Sequence, residues 1–220
     1  MNSTNSLRQI AVIHSPYKEK FSIPRQPGLN RIESTIELIA PFNRTEALMG
    51  LENFSHLWVI FSFHETNPTD ETSLVVRPPR LGGNVKQGVF ATRSPFRPNN
   101  LGLSLVEIKK IEATNITVIG GDFLDLTPVY DLKPYLKEIE APIHAKSGWT
   151  DQLEVVKLEV VFECDCTSVL KEKISEILAL DPRPRFHEDG YKTYGTKIFD
   201  KDVHWHVFSN RIIVTNIISI

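Results

Sequence analysis

The 35 residues from Thr72 to Val106 contain Arg77, Arg80, Lys86, Arg93 and Arg97 and not one Asp or Glu. At ordinary acid frequencies about four would be expected there. The whole chain has 25 Lys and Arg against 27 Asp and Glu, a net charge of -2, so everything outside this stretch carries -7. Charge segregated in this way points to a local anion site on a protein with no bulk attraction for polyanions. The arginines stand in rigid settings, Arg77-Pro78-Pro79-Arg80-Leu81-Gly82-Gly83 and Arg93-Ser94-Pro95-Phe96-Arg97-Pro98-Asn99. Proline fixes the backbone and glycine lets a ligand approach it, while the planar guanidinium grips carboxylate or phosphate through two parallel hydrogen bonds. The bland alternative is a solvated loop whose arginines pair with carboxylates elsewhere.

Two more clusters could do chemistry. His64-Glu65 directly follows the apolar run Leu57 to Phe63, at a strand end where loops carry function. His56, at the other end of that run, reads as a strand-end histidine bonded to backbone. The segment Asp122-Phe123-Leu124-Asp125-Leu126-Thr127-Pro128 is either a simple turn or a place where Asp125 and Thr127 meet a ligand bearing charge and hydroxyls. Cys164-Asp165-Cys166 and His204-Trp205-His206 each set two metal-type ligands on one face of a strand, but third and fourth ligands are not evident, so no metal site is expected. No G-x-G-x-x-G, P-loop, H-E-x-x-H, C-x-x-C or G-x-S-x-G pattern occurs, which argues against dinucleotide folds, P-loop enzymes, zincins and nucleophile-elbow hydrolases.

The elements that must position these residues are short. Candidate strands run Ile10 to Ile13, Thr35 to Ile39, Leu57 to Phe63, Ser73 to Arg77, Gly88 to Thr92, Leu103 to Ile111 and Asn115 to Ile119. They leave little room for helical crossovers, which disfavours a doubly wound sheet, and a sheet so rich in strands closes or folds over to protect its edges. One short helix is predicted around Arg44 to Met49, stopped by Gly50. Asp131 to Trp149, with Pro134, Pro142 and Gly148, reads as a long connection and puts a boundary near residue 150. Beyond it, Leu153 to Glu163 could be a strand, and Thr167 to Leu180 sets Val169, Leu170, Ile174, Ile177 and Leu178 at helical spacing before Asp181-Pro182 stops it. Thr193 to Phe199, Val203 to Phe208 and Arg211 to Ile218 suggest a meander packed on that helix. The expected architecture is α+β, mostly β, with an N-terminal β-barrel over residues 1–150 and a small C-terminal α+β domain over 151–220.

With 220 residues, 41% of them hydrophobic, the chain can bury a sizeable core. Its two cysteines, one residue apart, cannot staple distant parts of a fold. The longest apolar run, Leu57 to Phe61, is far too short for a membrane span or a signal-peptide core. A reducing, cytoplasmic location with no membrane association is expected.

Pro24-Arg25-Gln26-Pro27-Gly28-Leu29, Gly50-Leu51-Glu52-Asn53-Phe54-Ser55-His56-Leu57-Trp58, Val76 to Gly83, Gly88 to Asn99 and Asp131-Leu132-Lys133-Pro134-Tyr135 occur in this order. Together they closely resemble the motifs of the TrmO family, also called YaeB or TsaA-like. Leu180-Asp181-Pro182-Arg183-Pro184, with Tyr194 and Val203, is similar, more weakly, to that family's C-terminal domain. The resemblance implies a TsaA-like β-barrel methyltransferase that uses S-adenosylmethionine (SAM). Its substrate would be N6-threonylcarbamoyladenosine (t6A) at position 37 of threonine tRNA, and its product the N6-methyl derivative m6t6A. It also implies a homodimer with cofactor near the subunit interface and a C-terminal domain that helps hold the tRNA.

Matched motif to motif, the cofactor contacts fall on Arg25, Gln26 and Pro27, on His64 and Glu65, on Arg93, on Leu103, and on Asp125, Leu126, Thr127 and Pro128. The family commonly shows Asp-Gly-Thr-Pro where this chain has Leu126, so a side chain stands where backbone is expected to approach the cofactor. His64, Glu65 and Asp125 are the candidates for taking the N6 proton. Arg77, Arg80, Lys86, Arg97 and Arg183 are left for tRNA phosphates, which position without specifying sequence. The rival readings are a non-catalytic RNA-binding or SAM-sensing module and a small-molecule methyltransferase of the same fold.

Overall fold

The computed structural model describes residues 6–66, 74–78, 85–152, 155–183 and 190–220. The N-terminal strands are β1 (Ala11–His14), β2 (Glu33–Leu38), β3 (His56–Ser62), the two-residue β4 (Val75–Val76) and β5 (Gln87–Gly88), β6 (Leu101–Glu112), β7 (Asn115–Ile119) and β8 (Thr127–Pro134). Each long strand alternates: Leu57, Val59 and Phe61 of β3 are buried while the residues between them are half-exposed, and Ile36, Ile116, Val118 and Val129 sit inward on their own strands. One apolar face per strand is satisfied when the sheet wraps on itself, and six strands close in the order β1, β2, β7, β6, β3, β8 and back to β1. Every pairing is antiparallel, and closure leaves no edge in the ring. Inside, the Phe61 ring meets Phe63 and Phe123 edge-on with centroids 5.1 and 5.0 Å apart. Gly102 makes room for it, since a Cβ there would come within 2.3 Å of the Phe61 ring.

The strand that closes the barrel, β8, lies where a turn and then a long connection were expected. Pro128 and Pro134 disguise it, because proline cannot donate to a ladder and ordinarily argues against a paired strand. Here Pro128 is its second residue, opposite Val12, and Pro134 its last, opposite Leu57. The run Gly88 to Thr92 is likewise not a full strand: β5 ends at Gly88 and a 3-10 turn occupies Val89–Ala91. The helix expected at Arg44 to Met49 is a 3-10 turn over Thr45–Leu48, followed after Gly50 by another over Leu51–Asn53. The connection is broken by α1 (Lys137–Glu140) and a 3-10 turn at Gly148–Gln152.

The C-terminal part contains β9 (Glu159–Phe162), α2 (Ser168–Leu178), β10 (Gly190–Ile198), β11 (Lys201–Phe208) and β12 (Arg211–Ser219). The expected meander is present, and β9 adds to it in parallel beside β12, giving the order β10, β11, β12, β9. Thr167 caps α2, its hydroxyl accepting from the Leu170 amide at 3.3 Å. The helix buries Ile174, Ile177 and Leu178 against Val203, Trp205, Val207 and Val214, whereas Val169 stays exposed. Overall the chain is α+β and mostly β.

The second core is not made by the C-terminal part alone. Tyr17 and Ile32, which flank the segment leaving β1, are buried within it, and Phe21 stacks against Tyr194 and Trp205. Backbone bonds seal the junction, from the Phe199 amide to the Pro16 carbonyl at 2.8 Å and from the Lys18 amide to the Lys197 carbonyl at 3.3 Å. The segment after β1 is thus held between two cores. Among the described residues, no helix is long and apolar enough to cross a membrane.

Candidate active site at one end of the barrel

A cavity of about 460 Å³ opens where β1 and β3 end and β6 and β8 begin. Its walls come from the segment Lys20 to Pro27, the residues Phe61 to Thr66, the loop Thr92 to Arg97, the start of β6 and the chain just before β8. Ligand cavities favour such barrel ends because strands hold the floor rigid while loops supply polar groups. The loops here are braced. The Arg93 guanidinium donates to Gln26 Oε1 at 2.9 Å, and the Asn100 amide donates to the Thr66 carbonyl at 2.6 Å. Arg97 donates to the Thr92 and Val89 carbonyls at 2.8 and 3.3 Å.

Of the residues carried over as cofactor contacts, Arg25, Gln26, Pro27, His64, Glu65, Arg93, Leu103 and Thr127 line this cavity together. Asp125, Leu126 and Pro128 are not among the lining residues. Thr127 is 2% exposed and faces inward, whereas Leu126 beside it is 58% exposed with φ at 62°. Asp125 is taken up by the segment after β1, where it accepts from the Ser15 amide at 2.8 Å and from Lys18 Nζ at 2.6 Å. Partial burial pushes the Asp125 carboxyl up, but those two hydrogen bonds and the Lys18 charge outweigh it and hold the group below the usual carboxylate range.

The structure reveals a carboxylate that motif matching passed over. Asp122 lines the cavity and its Oδ1 accepts from the Ser104 hydroxyl at 2.5 Å. Burial pushes its pKa above the ordinary value, with the Ser104 bond, its own amide and the Arg93 charge offsetting part of that. Ser104, Lys20, Phe61 and Phe63 also line the cavity and were likewise missed. Ser104 had a signal: β6 alternates Gly102, Ser104 and Val106 inward, which puts a hydroxyl in an otherwise apolar file.

The residues expected at phosphates are scattered. Arg77 and Lys86 are exposed beside the β4–β5 pair. Arg80 lies outside the described residues. Arg97 lines the cavity and braces its loop, with its guanidinium 5.9 Å from the Phe90 ring centroid. Arg183 is 8% exposed and grips Asp181 through Nε and Nη2 at 2.8 and 2.9 Å, so it faces the protein interior. Among the described residues, no cluster of three His, Cys, Asp or Glu side chains could hold a metal ion.

Residues 12–141 match the family model described as the tRNA-methyltransferase O N-terminal domain, and residues 152–220 match the TrmO C-terminal domain. The chain is 44% identical over 227 residues to the tRNA (adenine(37)-N6)-methyltransferase of Escherichia coli (strain K12), covering 93% of this chain and 94% of that protein. It is 37% identical over 153 residues to a probable S-adenosyl-L-methionine-binding protein of Pyrococcus abyssi, spanning 69% of this chain and 79% of that one. A crystal structure of TrmO from Pseudomonas aeruginosa superposes with a TM-score of 0.79 at 34% identity, over 98% of this chain and all of that one.

Proposed function

The chain belongs to the tRNA-methyltransferase O family, and on that premise we propose that it methylates N6 of t6A at position 37 of threonine tRNA, using SAM and giving m6t6A. The observation that carries this reading is the cavity. Its volume of about 460 Å³ lies within the usual range for small-ligand sites. Its lining joins guanidinium groups, the Glu65 carboxylate and aromatic carbons, the three kinds of partner that SAM's carboxylate, ribose hydroxyls and adenine call for.

Bound SAM supplies an activated methyl group, so in-line transfer to N6 needs no covalent step by the protein. The protein's part is alignment, which can lower a barrier by roughly 7 to 11 kcal/mol at best. Arg93, steered by Gln26, offers its guanidinium to the cofactor carboxylate. Glu65 offers carboxylate oxygens to the ribose hydroxyls, while Phe61, Phe63 and Leu103 give the adenine apolar surface. Arg77 and Lys86, exposed beside the β4–β5 pair, would offer charge to tRNA phosphates. The protein would work in the cytoplasm, as a homodimer, with residues 1–150 holding the cofactor and 151–220 assisting with tRNA. Met49, Phe90 and Leu126 are exposed large apolar side chains of the kind such a dimer would cover.

The test is an incubation with methyl-labelled SAM and tRNA with or without installed t6A, followed by nucleoside analysis. Label only in N6-methylated t6A is the expected result. Label in unmodified adenosine would overturn the t6A substrate. SAM binding without label in any nucleoside would favour a sensor or a small-molecule methyltransferase.

A further inference from the structure

Asp122 has no part in the cofactor contacts above, yet it is the cavity carboxylate with the most specific setting. Buried Phe123 and Leu124 follow it in the chain, and Ser104, 1% exposed on the neighbouring strand, donates to one of its oxygens. We propose that Asp122 takes the proton released from N6 during methyl transfer and that Ser104 fixes the carboxylate's orientation. The inference rests on the reaction proposed above.

The chemistry asks for such a group. The N6 lone pair is delocalised into the purine and, in t6A, into the carbamoyl carbonyl, so nitrogen becomes a good nucleophile as its proton departs. The N6–H electron pair then forms the new N–CH3 bond, the C–S bond breaks with its electrons going to sulfur, and the proton ends on the Asp122 carboxylate. A carboxylate in water is a weak base for this; partial burial makes Asp122 a stronger one.

The other candidates are less well placed. Glu65 is 56% exposed, with Lys20 beside its carboxylate at 4.0 Å. His64 is exposed at the rim. Asp125 is outside the cavity lining and already holds Lys18. The titratable and charged groups that share the cavity with Asp122 are Arg25, Arg93 and Arg97 from the loops, Lys20 after β1, and Glu65 and His64 after β3, of which Arg93 acts on its carboxylate; buried Tyr17, outside the lining, also interacts with it electrostatically.

Asp122→Asn tests the idea, because its amide oxygen still accepts from Ser104 while the base is gone. With t6A-bearing tRNA, kcat should fall roughly 100- to 10,000-fold. SAM affinity, read by calorimetry, should stay unchanged. The melting temperature at neutral pH should rise: a raised folded-state pKa costs stability above the ordinary carboxylate range, and the variant has nothing to ionise. Ser104→Ala is the second variant. It keeps the carboxylate and removes a bond that lowers its pKa, so the acid limb of kcat should move to higher pH.

Unchanged kcat in Asp122→Asn, or an unmoved limb in Ser104→Ala, overturns the proposal. So does a loss of SAM affinity with kcat restored at saturating SAM, which would make Asp122 a cofactor ligand. A fall in melting temperature would make it structural. Wild-type protein that labels no adenosine overturns the proposed function and this inference together; active wild-type with equally active Asp122→Asn overturns the inference alone.

Discussion

The Arg25 guanidinium donates to the Arg183 carbonyl at 3.0 Å, joining residues 158 positions apart in the chain. Arg25 lines the cavity, and Arg183 is fixed by bonds from its guanidinium and its backbone amide to Asp181, which follows α2. The wall that would hold a small donor is therefore braced by the C-terminal part. Arg183→Ala should destabilise the protein by about 1 to 3 kcal/mol, since it leaves the half-buried Asp181 with the backbone amide of residue 183 but without the guanidinium. It should also weaken SAM binding through Arg25. Urea unfolding and calorimetry check the two halves; tRNA binding lost with neither changed would return Arg183 to a phosphate contact.

Arg93 is held at the cavity by Gln26 and is exposed on its other side. Arg93→Ala removes a charged hydrogen-bond donor worth about 1.5 to 3 kcal/mol, so SAM affinity should drop roughly 10- to 100-fold with the melting temperature little changed. Arg93→Lys should recover part of the affinity, because the charge returns without the planar fork.

Asp125 binds the segment that follows β1, and the prediction for it concerns folding. Its folded-state pKa is held below the unfolded value, so its contribution is full at neutral pH and is lost as pH falls through that depressed range. Asp125→Ala should cost about 1 to 3 kcal/mol at pH 7. The gap between variant and wild type in urea unfolding should close toward the acid limit. A gap independent of pH would show that the ion pair with Lys18 contributes nothing.

Leu126 has φ at 62° and a 58% exposed side chain. The left-handed conformation costs an L-residue roughly 1 to 2 kcal/mol, of which glycine's greater unfolded-state freedom takes back roughly 0.5 to 1. Leu126→Gly should therefore be neutral to about 1 kcal/mol stabilising, while Leu126→Ala, which keeps a Cβ, should not stabilise. Chemical denaturation separates the two.

The C-terminal elements were readable because local pattern and tertiary role agree there: α2 carries its apolar stripe and its Thr167 cap in sequence, and β10 to β12 are separated by tight polar turns. The same holds for β3 and β7, whose alternation survives in any sheet that buries one face. Strand β8 was hidden because its prolines obey the register of two neighbours that lie far away in sequence.

Residue types and motif order by themselves determined the mostly β architecture, the family and eight of the cavity residues, from Arg25 to Thr127. What only the tertiary structure decided is which carboxylate faces the cavity. Asp122 and Asp125 stand three positions apart with the same side chain. One is turned into a partly dry pocket beside Ser104, which raises its pKa, and the other is drawn out to Lys18 and the Ser15 amide, which lowers it. Their opposite chemistry comes from desolvation and from partners distant in the chain, Ser104 on β6 for one and the segment after β1 for the other, and neither is written in the local sequence.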